Sequence, residues 1–214
     1  MDSVTTTGSI TRCSTRRGTG FEAAFRAVLV LVLALVLGLA RADTGEVTQL
    51  RLERADEGVL LSASVRFDMP AVIDDALHKG IPMFFVAEAT LLRDRWYWYD
   101  KQVASAQRHM RLSFQPLTRR WRLQVSSQPI GATGLALGQS FETQEEAIEA
   151  IKHIARWKIA DLGELETDAK YSVDFRYRLD VSQLPRPFQI GAVGHADWSI
   201  SAARTQRLAV ETAR

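Results

Sequence analysis

Residues 171–180, YSVDFRYRLD, settle the class of fold. Tyr171, Val173, Phe175, Tyr177 and Leu179 occupy every second position, with Ser172, Asp174, Arg176, Arg178 and Asp180 between them. A period of two places the apolar side chains on one face of an extended strand and the polar ones on the other. That is the pattern of an antiparallel strand with one wet face.

The same alternation recurs upstream. In residues 47–67, Thr48, Leu50 and Leu52 alternate with polar residues, Asp56-Glu57-Gly58 supplies a turn, and Val59, Leu61, Ala63, Val65 and Phe67 return on one face. This predicts a hairpin. From 83 to 128 the chain reads as a meander of long strands. It comprises MFFVAEATLL, then RDRWYWYDKQ at 93–102, then Ala104 and Ala106 leading into Met110, Leu112 and Phe114, a turn at 115–118, and Trp121, Leu123 and Val125. GATGLALGQS at 131–140 is a loop with room for a short strand. Pro185-Arg186-Pro187 predicts an extended crossing outside any ladder, and HADWSIS at 195–201 predicts a last strand carrying Trp198 and Ile200. The tail after about Arg204 is weakly patterned and is expected to fray.

Two segments carry helical spacing. Asp68 as a cap, Pro70 in the first turn, Val72, Ile73, Ala76 and Leu77 along one face, and Gly80 with Pro82 as a stop predict a helix over about 70–79. Thr143 and Glu146 form a capping box, and Ala147, Ile148, Ile151, Ile154 and Ala155 extend a helix over 144–157. The sum is a mainly β domain on the α+β border: one antiparallel sheet, or a sandwich, with two accessory helices.

The first 42 residues differ. Arg12, Arg16, Arg17 and Arg26 precede the apolar run AVLVLVLALVLGLA at 27–40, and Ala40-Arg41-Ala42 follows with small residues at the two positions a signal peptidase reads. A run of fourteen is short for a membrane-spanning helix, which needs about 20 residues, and suits a secretory signal core of roughly 7 to 15. Residues 1–42 are therefore expected to be a cleaved signal, leaving one β-rich domain at 43–214, exported to the periplasm and without a membrane span. The alternative is an inner-membrane anchor formed by residues 27–40. Arg16-Arg17 lacks the hydrophobic pattern of a folded-export signal close behind it, so the general secretion route is expected.

The single cysteine, Cys13, precedes the apolar run, so the domain from 43 onward has no thiol and must rely on a core for stability. Removing the five arginines and two acids of residues 1–42 leaves 22 basic and 23 acidic groups, a net charge of −1. Bulk charge thus gives no reason to expect nucleic acid as a partner.

Local chemistry is sparse. The four histidines, His78, His109, His153 and His195, show no spacing that brings two imidazoles together, so neither a metal nor another cofactor is expected. His109 reads as a solvated sheet residue in preference to a general base. Gly138-Gln139-Ser140-Phe141-Glu142 holds only the first half of a nucleophile elbow, and Gly131, Gly134 and Gly138 miss the dinucleotide spacing. Asp74-Asp75 and Glu145-Glu146 sit where first-turn acids are ordinary. No catalytic residue is assigned.

Charge distribution says more. Residues 93–122 hold eight basic groups (Arg93, Arg95, Lys101, Arg108, Arg111, Arg119, Arg120, Arg122) and two acids, while 142–168 hold eight acids and three basic groups. If the strands on either side of 115–118 pair, Arg111, Arg120 and Arg122 share a sheet face. Within a strand through 96–99, Trp96 and Trp98 would share one face and Tyr97 and Tyr99 the other. The candidate binding surface is therefore Arg93, Arg95, Trp96, Tyr97, Trp98, Tyr99, Arg111, Arg120 and Arg122. A plain solvated face, neutralised by the acidic segment, is the bland alternative to an anion-facing surface for head groups, glycan or an acidic protein.

Three stretches together, RDRWYWYDKQ, MRLSFQPLTRRWRLQ at 110–124, and YRLDVSQLPRPFQI at 177–190 followed by ADWSIS, resemble a family of exported proteobacterial proteins known only as a domain of unknown function, DUF4390. The resemblance spans about residues 45–203. It implies no established activity, catalytic residue or cofactor. Genes of that family often neighbour a membrane sensor kinase of the nitrogen-regulation type, which implies such a kinase as a partner. The expected function is a non-enzymatic envelope protein that binds a partner or an anionic envelope component and is accessory to a sensor kinase. The alternatives are a lipid or glycan carrier with a cavity between sheet and helices, and an unrecognised hydrolase.

Overall fold

The computed structural model describes residues 45–95, 100–130, 137–166, 169–192 and 196–208. Nine strands occur among them: β1 (Gly45–Ala55), β2 (Gly58–Phe67), β3 (Met83–Arg93), β4 (Lys101–Gln115), β5 (Arg120–Ser126), β6 (Leu137–Phe141), β7 (His153–Ala160), β8 (Tyr171–Leu179) and β9 (Ser201–Arg207). Three helices join them: α1 (Ala71–His78), α2 (Gln144–Lys152) and α3 (Arg186–Ala192). Every pairing is antiparallel, and the strands form two sheets, β1-β2-β7 and β6-β5-β4-β3-β8-β9. The chain is a mainly β protein of two sheets.

The alternating residues that predicted the strands also make the core. The odd-numbered face of β8 is buried, from Tyr171 through Val173, Phe175 and Tyr177 to Leu179. It faces the same way as Phe85, Ala87, Ala89 and Leu91 of β3, its direct partners. The small sheet contributes Val59, Leu61, Ala63, Val65 and Phe67. Phe67, Phe85 and Tyr177 stack between the sheets with ring centroids 5.9 to 6.1 Å apart. Each fully buried side chain of this size stabilises the fold by roughly 1.5–3 kcal/mol.

The helices α1 and α2 lie on this inner side. Thr143 caps α2 as expected, its hydroxyl accepting from the Glu146 amide at 3.3 Å. At the other end of α2 the Tyr177 hydroxyl donates to the Ile151 carbonyl at 3.2 Å. α1 buries Ile73, Ala76 and Leu77, and its His78 ring lies 5.5 Å from Trp121 and 5.8 Å from Phe114. Its N-cap is Pro70, without a side-chain cap, where the sequence pointed to Asp68. Gln144 at the start of α2 donates to the Asp74 carboxylate of α1.

Four expectations are corrected. The helix expected over 144–157 ends at Lys152, and residues 153–160 are strand β7. Pairing with β2 skips a residue, so that Leu61 faces Trp157 and Ala63 faces Ile154. One residue on β2, Ser62, thus opposes two on β7, Ala155 and Arg156, a bulge that aims Ile154 and Trp157 inward at a spacing of three and imitates helical periodicity. Arg156 takes φ 42° in this bulge, and its amide donates to the Ser62 hydroxyl at 3.1 Å.

The strand expected through residues 93–102 stops at Arg93 and resumes in the opposite direction at Lys101, the residue paired with it. Residues 94–100 link those two ends. The proline crossing at 185–187 opens α3, because prolines in a first helical turn lose no intrahelical hydrogen bond. Trp198 belongs to a short 3-10 turn at 196–198, and the last strand begins later, at Ser201, and continues past Arg204 to Arg207 in register with β8. The Leu208 amide then donates to the Tyr171 carbonyl at 2.9 Å.

Candidate functional site

The pairing of β4 with β5 decides where the arginines go. Arg111 faces Gln124, Ser113 faces Arg122 and Gln115 faces Arg120, so Arg111, Arg120 and Arg122 share the outer face of the large sheet. Met110, Leu112, Trp121 and Leu123 hold the inner face and are buried. The expected common face for these three arginines is present.

Arg120 and Arg122 are exposed, and Arg111 is half-buried with its guanidinium 5.7 Å from the centre of the Phe84 ring. Arg120 approaches one carboxylate, Glu142, at 3.8 Å between groups that are both mostly in water. Such a pair contributes little. Among the described residues no carboxylate lies within ion-pairing distance of Arg122 or Arg111.

The adjoining half of the same face is arranged differently. Arg178 meets Glu88 at 3.1 Å and Asp180 at 3.9 Å, and Arg176 meets Asp174 at 2.9 Å. Burial pushes the Asp180 carboxyl up, but hydrogen bonds from Ser182 and Gln183, with Arg178 nearby, hold it below the usual carboxylate range. The β3–β8 half is therefore neutralised by its own acids, and the β4–β5 half is not.

Four acids of the segment that could have cancelled the arginines are engaged elsewhere. Glu149 on α2 pairs with Lys152 and His153, Asp161 pairs with Lys158, and Glu164 accepts from the Asp161 amide at 2.9 Å. Glu166 pairs with Arg93. Apart from Glu142, none of these acids has an ion pair on the outer face of β4 and β5.

The other candidate residues fall elsewhere. Arg93 lies at the end of β3 beside Tyr171, ten residues along the ladder from Arg111, or roughly 33 Å at 3.3 Å per residue. The Arg95 amide donates to the Asp100 carboxylate at 3.2 Å across the β3–β4 connection. Trp96, Tyr97, Trp98 and Tyr99 lie outside the described residues, and so do Gly131, Gly134 and His195. Arg108 points inward, over the Trp157 ring. Ser140 sits within edge strand β6, paired with Arg122.

His109 departs from expectation. It is 7% exposed, next to Val86 in the ladder, and among the described residues neither ring nitrogen has a hydrogen-bond partner. It is a buried imidazole, not a solvated one. Burial lowers its pKa, Asp180 and Glu88 oppose that shift, and Arg178 adds to it. The Arg111 Nε beside it is likewise buried and unpaired. Sequence alternation had placed His109 on the outer face; it could not reveal that this end of the face is covered.

Two antiparallel sheets over an apolar core, with a basic patch on one outer face, define a β-rich domain. The model for DUF4390, a domain of unknown function, matches residues 42–208, and the chain belongs to that family. Comparisons with curated proteins and with solved structures find no match.

Among the described residues, no helix is long and apolar enough to cross a membrane, and no cluster of three His, Cys, Asp or Glu side chains could hold a metal ion.

Proposed function

We propose that this chain is a non-enzymatic binding protein of the cell envelope, which engages an anionic envelope component through the outer face of β4 and β5. One observation carries the proposal: Arg120 and Arg122 stand exposed beside half-buried Arg111, on the half of the sheet that lacks its own acids. Clustered cations with a single, solvent-exposed acid among them raise the local potential and favour association with a surface of opposite charge. The apolar interior favours surface recognition over lipid carriage, because buried side chains such as Phe85, Phe175, Tyr177 and Ile151 fill the space between sheets and helices.

The double variant Arg120→Glu, Arg122→Glu tests this. Near an anionic membrane each basic residue contributes about 1 kcal/mol, so reversing two should lower cosedimentation with phosphatidylglycerol vesicles by more than about tenfold, with neutral vesicles as the control. Thermal unfolding should stay within about 2 °C, since both side chains are exposed. Unchanged vesicle binding by a folded variant refutes the proposal. An accessory role at a membrane sensor kinase belongs to the same reading and rests on the family resemblance; co-purification with that kinase should be lost in the same variant.

A further inference from the structure

The two sheets meet along two seams, and one of them is open. Between Lys101 and Arg108, β4 pairs with β3 on one side, and β5 joins the other side only from His109 onward. β7 pairs with β2 alone. Among the described residues no strand occupies the free edge of either β4 over 101–108 or β7, although the two strands approach each other. They touch where the Arg108 guanidinium lies 5.5 Å from the centre of the Trp157 ring.

Beyond that contact they part around a cleft of about 570 Å³. Its floor holds Val103 and Ala104 from β4 and Ile159 and Ala160 from β7, and the polar residues Gln102, Ser105 and Glu164 line it as well. A register shift beside Val103 bends β4 at this point, and the bulge at Arg156 bends β7 just before it.

The charges around the cleft are mostly engaged, and Glu164, which also lines it, accepts from the Asp161 amide. Lys158 pairs with Asp161, and this hydrogen bond raises the lysine pKa; Arg93 pairs with Glu166 in the adjoining pocket of about 220 Å³. A phosphate or carboxylate ligand would have to displace those acids. Among the described residues the two strand edges have no ladder partner, and they present N–H and C=O groups toward one gap. Such edges are satisfied by an extended chain, which supplies donors and acceptors along its length.

We propose that this cleft accepts an extended, uncharged peptide segment of a partner protein, added as a strand between β4 and β7. Small or β-branched side chains suit the inward positions, because the floor offers Ala104 and Ala160. The site uses other residues than the outer-face arginines and stands independently of them.

Leu208 hydrogen-bonds Tyr171, and Tyr171 lines the adjoining pocket, so the last described residue lies near the cleft and a segment appended to the full chain is tethered to it. The test appends six alternating threonine and valine residues to the full chain through a Gly/Ser linker of about 10 residues; a second chain carries alternating threonine and proline. Tethering at short range gives millimolar effective concentration, enough to reveal weak strand pairing.

In the Thr/Val chain, hydrogen exchange at Gln102–Ser105 and Lys158–Ala160 should slow about tenfold or more, with no change in the Thr/Pro chain, whose prolines cannot pair. Equal exchange in the two chains, whether protected or not, overturns the proposal. Edges that are merely blunted by their bulges would give that result.

Discussion

The two seams between the sheets differ in how their irregular backbone is satisfied. On the β1–β9 side, β1 slips register between Val47 and Gln49, which frees carbonyls from the ladder. The Arg204 guanidinium on β9 takes them up, donating to the carbonyls of Val47 at 3.1 Å and Thr48 at 3.2 Å. On the β7–β4 side both strands also bulge, but one ring contact closes the seam and a cleft follows it. A bulge therefore does not itself open a sheet. What decides is whether a side chain from the neighbouring strand can reach the backbone groups that the bulge releases.

Three measurements test that contrast. The largest effect should come from neither seam. Phe85 stacks on Phe67 and Tyr177 midway between them, so Phe85→Ala should cost about 3–5 kcal/mol in urea unfolding, as large-to-small aromatic changes in a core do. A loss below about 1 kcal/mol would mean that the seams, not the stack, hold the sheets together.

Next comes the closed seam. Arg204→Ala removes two charge-assisted hydrogen bonds from a largely exposed side chain, and a loss of about 1 kcal/mol is expected. The same denaturation should be compared with Arg108→Ala at the open seam. That variant loses a contact to an aromatic face worth about 0.5–2 kcal/mol, and burial already depresses the Arg108 pKa. Faster hydrogen exchange should appear along β1 in the first variant and along β4 in the second. Exchange changes spread evenly over both seams in either variant would dissolve the distinction.

The smallest effect is absent at neutral pH and emerges on acidification, away from both seams. The folded-state pKa of His109 lies below its unfolded value of about 6.5, because burial disfavours the imidazolium. The unfolded chain therefore binds the proton first: the stability is complete above about pH 6.5 and is lost as pH falls through the folded pKa. Between pH 8 and 5 the urea midpoint should fall in the native chain and fall less in His109→Leu. Parallel slopes would assign the acid sensitivity to other groups. Asp180, whose pKa is also lowered, loses its contribution only below the ordinary carboxylate range, at more acid pH.

Much of the fold was legible in the residues. β2, β3, β5 and β8 follow from alternation, α1 from its apolar spacing and proline, and the start of α2 from Thr143 and Glu146. The shared face of Arg111, Arg120 and Arg122 was legible too, because a tight turn, observed at 116–119 where 115–118 was expected, fixes which residues of β4 and β5 oppose each other. The end of α2 was not legible, since the bulge at Arg156 gives β7 a spacing of three that looks helical. Nor was the division of the basic run: Arg93, Arg108 and Arg122 are within thirty residues of one another in sequence and lie at a strand end, in a seam and on an outer face.

By itself the sequence determined which side chains share a face, because the period of two is a local property of an extended backbone. It also determined that an apolar core without disulfides would carry the stability, since no cysteine follows Cys13. The tertiary structure decided what each face meets. His109 and Arg122 are both polar residues on the outer face, yet one is buried without a partner and the other stands in water. The free edges of β4 and β7 are likewise invisible in either strand alone, because an edge exists only relative to the strands that fail to cover it.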